Sequence, residues 1–245
     1  MLTGKTILIT GGSSGLGRHM AEFFSSHNRV IVTGRDTARL SDAENQLGVE
    51  TLNVDVRDYQ AMVDAIASVG KIDITIANAG ISPSAKFIQT SPDMWHDVVA
   101  TNLTGVYNCF RAALMSMDVK QSGRLIAVAS TAGLKAYPYV AAYCAAKHGV
   151  IGLVKSLALE LATTSVTVNA VCPGFMDTEM TQQNIDRVTA KTGRSVDETR
   201  AIYAAQNPQK KLIPVADVTA CIDWLCAPAS ASVNGQAITL SGGEV

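Results

Sequence analysis

The chain has 245 residues, 47% of them hydrophobic and 17% charged, which suffices for a large buried core and argues against disorder. With 20 Lys+Arg against 21 Asp+Glu there is no bulk field to draw it to nucleic acid or to an acidic membrane. No apolar run approaches the ~18–20 residues of a membrane span, and no basic-then-apolar leader precedes the first strand-like segment, so a soluble cytoplasmic protein is expected.

Short β-branched runs alternate with helical patterns. Strands are expected at Thr6–Thr10, Val30–Thr33, Glu50–Val54, Ile72–Ala77, Gly123–Ala129, Val166–Val171 and Gln236–Leu240. Helices are expected near 15–26, 37–47, 59–69, 92–118, 140–163 and 215–226, with Ser91-Pro92 reading as an N-cap followed by proline in the first turn. Continuous apolar strands separated by helices indicate right-handed βαβ units in a parallel sheet covered on both faces. The predicted fold is therefore α/β, a doubly wound (Rossmann) sheet of about seven strands in a single domain over 1–245. The polar stretch 178–209, interrupted at Gly193 and Pro208, breaks the rhythm after the sixth strand. It reads as a mobile substrate lid, or else as a plain surface insertion of two short helices.

The first strand runs directly into Gly11-Gly12-Ser13-Ser14-Gly15-Leu16-Gly17, and a helix follows. Glycines at such a turn admit positive φ and let backbone N–H groups approach a pyrophosphate, while the helix N-terminus adds a favourable dipole. Strand before and helix after make this a dinucleotide site rather than an ordinary tight turn. The second strand ends Thr33-Gly34-Arg35-Asp36. A carboxylate at that point suits the ribose hydroxyls of NAD, and an arginine suits the extra phosphate of NADP. Gly34 and Arg35 favour NADP(H). Asp36, and a glycine loop with no basic residue, leave NAD(H) open, although Asp36 also reads as the N-cap of the next helix. Asp55 and Val56 at the end of the third strand lie where an adenine would sit, and Asn78-Ala79-Gly80 ends the fourth strand with room for the nucleotide.

Tyr143 and Lys147 are spaced i, i+4 and share one face of a helix. A tyrosine of pKa near ~10 is a poor base at neutral pH, and a neighbouring ammonium is expected to lower it. Spacing alone is equally compatible with an unremarkable Tyr and a solvated Lys. Ser130, ending the fifth strand just before this helix, could hold a substrate oxygen beside Tyr143.

These residues, with Asn102 and Pro173-Gly174, occur in an order and at intervals by which the chain resembles the short-chain dehydrogenase/reductase family over essentially its whole length. The resemblance implies a catalytic tetrad of Asn102, Ser130, Tyr143 and Lys147, with Tyr143 as acid/base and Asn102 holding a water that relays protons to Lys147. It implies that Lys147 grips the nicotinamide ribose and that Pro173, Gly174 and Thr178 hold the nicotinamide. Ala77 stands where the family usually has Asn. The resemblance also implies a homo-oligomer, a tetramer or dimer, packed through helices around Gly105–Met117 and Ala141–Leu161. Val150, Leu153, Val154, Leu157 and Leu161 would supply apolar area there, unless they face the sheet.

The segments from Ser130 to Tyr137 and from Asn169 to Phe175 look like those of 3-oxoacyl thioester reductases, 3-hydroxyacyl-CoA dehydrogenases and polyketide ketoreductases, which points to a β-keto or β-hydroxy acyl thioester. Leu134, Tyr137, Phe175, Met176 and Met180 are the expected pocket wall. A free secondary alcohol, sugar or cyclic ketone is the alternative substrate, and a non-catalytic dinucleotide sensor the remote one. No metal is expected, since His19, His27, His96 and His148 lack a ligand-like arrangement. Cys109, Cys144, Cys172, Cys221 and Cys226 contain no CxxC pair and read as small buried hydrophobes.

Overall fold

The computed structural model describes residues 2–245. Seven parallel strands, β1 (Thr6–Thr10), β2 (Arg29–Gly34), β3 (Glu50–Asn53), β4 (Ile74–Ala77), β5 (Gly123–Val128), β6 (Val166–Pro173) and β7 (Ala237–Leu240), form one sheet in the order β3-β2-β1-β4-β5-β6-β7. Ile7, Leu8 and Ile9 pair with Val30, Ile31 and Val32 on one side and with Ile74, Thr75 and Ile76 on the other. β5 and β6 are buried at every position, as strands covered on both faces must be, whereas the edge strands β3 and β7 keep partial exposure.

Alternation along each strand feeds two cores. Leu8, Ile31, Leu125 and Val168 face the layer that contains α3 (Tyr59–Val69), α5 (Gly105–Ser116) and α6 (Ala141–Glu160). Ile7, Ile9, Val32 and Ile126 face the layer of α1 (Gly15–Ser25), α2 (Thr37–Leu47) and α9 (Val215–Cys226). The predicted helix 92–118 is not one regular helix. α4 (Pro92–Val99), capped by Ser91 at Met94 N–H, passes into a π turn over Ala100–Thr104 before α5 begins. Such a bulge shifts the register of side chains along a helix and is common at functional sites. Here it carries Asn102.

The polar segment holds α7 (Glu179–Thr192) and α8 (Val196–Gln206), with Gly193 closing α7 in the left-handed conformation. The expected interfacial residues mostly turn inward. Val150 and Val154 lie in the core, and Leu153, Leu157 and Leu161 pack partly buried against it, because α6 must first cover its own sheet. Exposed apolar side chains on these helices are Tyr107, Met115 and Leu159 instead. The five cysteines are unpaired, and Cys221 alone among them is not fully buried. No helix among the described residues is long and apolar enough to cross a membrane.

Candidate active site

Strand order reverses between β1 and β4, so the loops that follow these strands diverge and leave a crevice at the carboxyl edge of the sheet. A cleft of about 880 Å3 occupies that crevice. It is lined by Gly11, Ser13, Ser14, Gly15, Leu16 and Gly17 after β1, by Arg35 after β2, by Asp55 and Val56 after β3, and by Asn78, Ala79 and Gly80 after β4. Asn102, Tyr143, Lys147 and Thr178 reach the same space. Residues from seven separate parts of the chain thus meet at one edge.

The glycine turn is held open by its neighbours. Gly11 has φ +66° and donates its N–H to the Thr33 carbonyl at 2.8 Å. Gly17 lies so near the turn that an added Cβ would stand 2.2 Å from the Gly11 carbonyl oxygen. Asn78 braces the turn, donating through Nδ2 to the Thr10 and Gly11 carbonyls at 2.9 and 3.3 Å. Thr10 Oγ1 returns the contact by accepting from the N–H groups of Asn78 and Ala79 at 3.0 and 3.1 Å. Thr10 opens the glycine motif in the sequence, but its bracing of the β4 loop is visible only in the folded chain. Ser14, the N-cap of α1, makes no side-chain cap bond, whereas Asp36, Asp58 and Thr178 close their own helices. The turn therefore offers backbone donors, a free helix N-terminus and no side chain in the way, which fits a dinucleotide pyrophosphate.

At the adenosine end, Asp36 is spent on capping α2, accepting from the N–H groups of Ala38 and Arg39 at 3.0 and 3.1 Å. Arg35 extends into the cleft 59% exposed, its guanidinium 3.7 Å from Asp55. Burial raises the Asp55 carboxyl, but hydrogen bonds from Arg57 at 2.7 and 2.9 Å and the charge of Arg35 outweigh it, leaving the group below its usual range. Asp55 is thus a carboxylate near neutrality. Arg57 also reaches Asp97 at 3.1 Å, tying the β3 loop to α4.

At the other end, Lys147 is 3% exposed and donates from Nζ to the Val128 carbonyl at 2.7 Å. Its ammonium lies 5.6 Å from the Tyr143 ring centroid. Desolvation lowers the Lys147 pKa to about 8. Desolvation also dominates at Tyr143, raising the phenol to about 12 although the Ser130 hydroxyl pulls it down. The expected lowering of Tyr143 by Lys147 does not occur. Withdrawal from water disfavours phenolate and ammonium alike, and it is the largest influence on each of the two groups. Tyr143 is therefore a protonated phenol near neutrality.

Asn102 is fully buried, with Oδ1 accepting from Ile81 N–H at 3.1 Å and Nδ2 donating to the carbonyls of Ile81 and Val98, both at 2.9 Å. This side chain thereby ties the loop after β4 to α4. Ser130 caps the turn Thr131–Gly133 by accepting from Ala132 N–H at 3.1 Å and lies beside Tyr143 without lining the cleft. Pro173 and Gly174 likewise do not line the cleft. Gly174 faces Asn207, whose buried amide accepts from Phe175 N–H and donates to the Phe175 and Lys211 carbonyls. Asn207 was not foreseen, because only the folded chain brings it to β6. Of the expected pocket wall, Met176 and Met180 line the cleft. Tyr137 and Phe175 instead stack edge to face at 5.8 Å, and Leu134 is 38% exposed away from it.

The family model described as short chain dehydrogenase matches residues 5–189. The chain is 34% identical to a D-beta-hydroxybutyrate dehydrogenase of Cupriavidus necator, covering 100% of this chain and 99% of that one. It is 33% identical to a 3-oxoacyl-[acyl-carrier-protein] reductase of Vibrio harveyi, covering 99% and 98%. A crystal structure of a variant actinorhodin polyketide ketoreductase with NADPH superposes with a TM-score of 0.91 at 31% identity, covering 100% of this chain and 99% of that one.

Proposed function

The chain belongs to the short-chain dehydrogenase family, and on that premise we propose that this NAD(P)-dependent oxidoreductase reduces the ketone of 3-oxoacyl thioesters with NADP(H), Tyr143 supplying the proton. The observation that carries the reading is the pairing, at one end of the cleft, of a phenol kept protonated by burial with Lys147 anchored on Val128. A nicotinamide held beside Tyr143 and Lys147 would supply the hydride that the carbonyl carbon takes up. Tyr143 gives its hydroxyl proton to the carbonyl oxygen, which Ser130 helps to hold. Lys147, fixed through Nζ, grips the nicotinamide ribose and favours the phenolate that remains after transfer. Asn102 acts from behind by fixing the loop at Ile81. Thr178, from the start of α7, closes on the nicotinamide, with Pro173 and Gly174 supporting the backbone from which it projects.

At the adenosine end Arg35 reads the extra phosphate of NADP(H), since Asp36 is occupied as a cap. The reading also takes 1–245 as a single domain with 178–209 as its lid. It further takes the protein as a cytoplasmic homo-oligomer, a state that light scattering of the purified chain reports.

The test is a titration with NADPH and NADH followed by a turnover screen of 3-oxoacyl thioesters against simple ketones. NADPH is expected to bind more tightly, Arg35→Ala to remove about ten-fold or more of that preference, and thioesters to turn over fastest. Tighter NADH binding, or turnover indifferent to the thioester, would overturn the respective part.

The pH dependence follows from the same groups. In the free enzyme the Tyr143 proton is retained up to about 12 and the Lys147 charge is lost as pH rises through about 8. Reductive kcat/KM is therefore expected to be level below that value and to fall above it. A reductive profile that climbs between neutrality and mild alkali would mean that a deprotonated group is required, contrary to this mechanism.

A further inference from the structure

Two arginines, not one, line the cleft beyond β2. Arg39, in the first turn of α2, lies one helical turn past Asp36 and donates through Nη1 and Nη2 to Glu179 at 2.8 and 2.7 Å. Glu179 is the first residue of α7, 140 positions further along the chain. Both side chains line the cleft and remain about half exposed, 47% and 42%. The bridge joins the helix beside the adenosine end to the helix that begins at the nicotinamide end. Arg39 has a second carboxylate near it, Asp36 at 3.5 Å, but that group already caps the helix.

A guanidinium presents the same fork of N–H donors to a carboxylate and to a phosphate. An exposed ion pair is weak enough to exchange partners. A phosphate arriving at the end of β2 therefore meets Arg39 already engaged, and by a partner that it can displace. We propose that Arg39 is a specificity-determining residue shared between Glu179 and the adenosine phosphate of NADP(H), so that the phosphate competes with the α2–α7 latch. This rests on the dinucleotide reading above. With a cofactor that lacks the phosphate, the latch stays made. With one that carries it, Arg39 joins Arg35 on the phosphate and α7 is released from α2.

Equilibrium titration of the purified protein with NADPH and NADH, followed by quenching of protein fluorescence, tests this. Arg39→Gln is expected to weaken NADPH about ten-fold or more and to leave NADH unchanged. Glu179→Gln is expected to tighten NADPH about two- to five-fold by removing the competitor, again without effect on NADH. Removing a carboxylate could also help an anion simply through the field, and the double variant separates the two causes. Competition requires that the gain from Glu179→Gln vanish once Arg39 is Gln. A gain that persists in the double variant overturns the proposal, as does an Arg39→Gln loss equal for both dinucleotides. Amide exchange in α7 without cofactor should quicken alike in both single variants, and unchanged exchange would show that no latch exists. Failure of the wild-type protein to bind either dinucleotide would instead overturn the cofactor reading beneath it.

Discussion

Replacing Tyr143 with Phe is expected to lower turnover by about 10²–10⁴-fold, the usual contribution of a positioned general acid, while dinucleotide binding is retained. The substitution deletes one oxygen. The ring stays, so the contact with the Lys147 ammonium at 5.6 Å and the packing around Ala142 and Ala146 stay with it. Lys147 remains anchored to the Val128 carbonyl, a bond that does not involve the phenol. The glycine turn and the Asn78 brace lie at the other end of the cleft. Only proton transfer and the Ser130 contact are lost. Measured side by side, kcat and the NADPH dissociation constant separate the possible roles. Full turnover in Tyr143→Phe would sink the mechanism. Loss of cofactor binding together with turnover would assign the hydroxyl to holding the cofactor and not to moving the proton.

Burial makes this prediction sharper than spacing could. From Tyr143 and Lys147 at i, i+4, the expectation was a phenol lowered by its neighbour. Whether attraction or desolvation wins depends on how much water reaches the pair, and no local pattern states that. The outcome, a phenol raised to about 12, is protonated at neutral pH, the form that reduction needs. Oxidation needs the phenolate and should gain as pH rises.

What could be read from the chain was local. The strand–glycine turn–helix run and the alternation of apolar strands with helices are written in consecutive residues, and the sheet and the cofactor turn followed from them. Arg35, Asp55 and Asn78 were legible because each ends a strand, and in a doubly wound sheet strand ends converge. Contacts decided by distant parts of the chain were not legible. The bonds of the Asn102 amide to Ile81 depend on the π turn at Ala100–Thr104, and nothing in Ala-Thr-Asn-Leu-Thr announces a π turn. Arg39 reads as an ordinary exposed helix residue until Glu179 is brought across the cleft. Val150 and Val154 satisfy an interface and a core equally well in sequence, and the sheet they cover settles the choice.

The second large effect is expected at Gly17. In an open helical position, exchanging Gly for Ala stabilises by roughly 1 kcal/mol, through chain entropy and backbone shielding. Gly152, in α6, is such a position, exposed and with no atom within 4 Å of an added Cβ. Gly152→Ala should therefore raise the melting temperature. At Gly17 the same methyl would meet the Gly11 carbonyl oxygen at 2.2 Å and Asn78 Nδ2 at 2.6 Å. Neither neighbour is free to yield. Gly11 is pinned to Thr33 by its N–H, and Asn78 is held by two carbonyls of the turn. Nor can α1 swing away, since Leu16, Met20 and Phe24 anchor it in the core. Overpacking of this kind costs typically about 1–3 kcal/mol, enough to reverse the propensity gain. Gly17→Ala should thus lower the melting temperature where Gly152→Ala raises it. Because relief can come only by displacing the turn, the donors that fit a pyrophosphate move as well, and NADPH and NADH should weaken together by about ten-fold or more, one lost charge-assisted hydrogen bond or greater. That common loss distinguishes the turn from Arg35 and Arg39, whose replacement discriminates between the two cofactors. Should Gly17→Ala stabilise the fold as Gly152→Ala does and bind both dinucleotides normally, the turn would not be the pyrophosphate cradle, and cofactor binding would have to rest on the two arginines and the β4 loop.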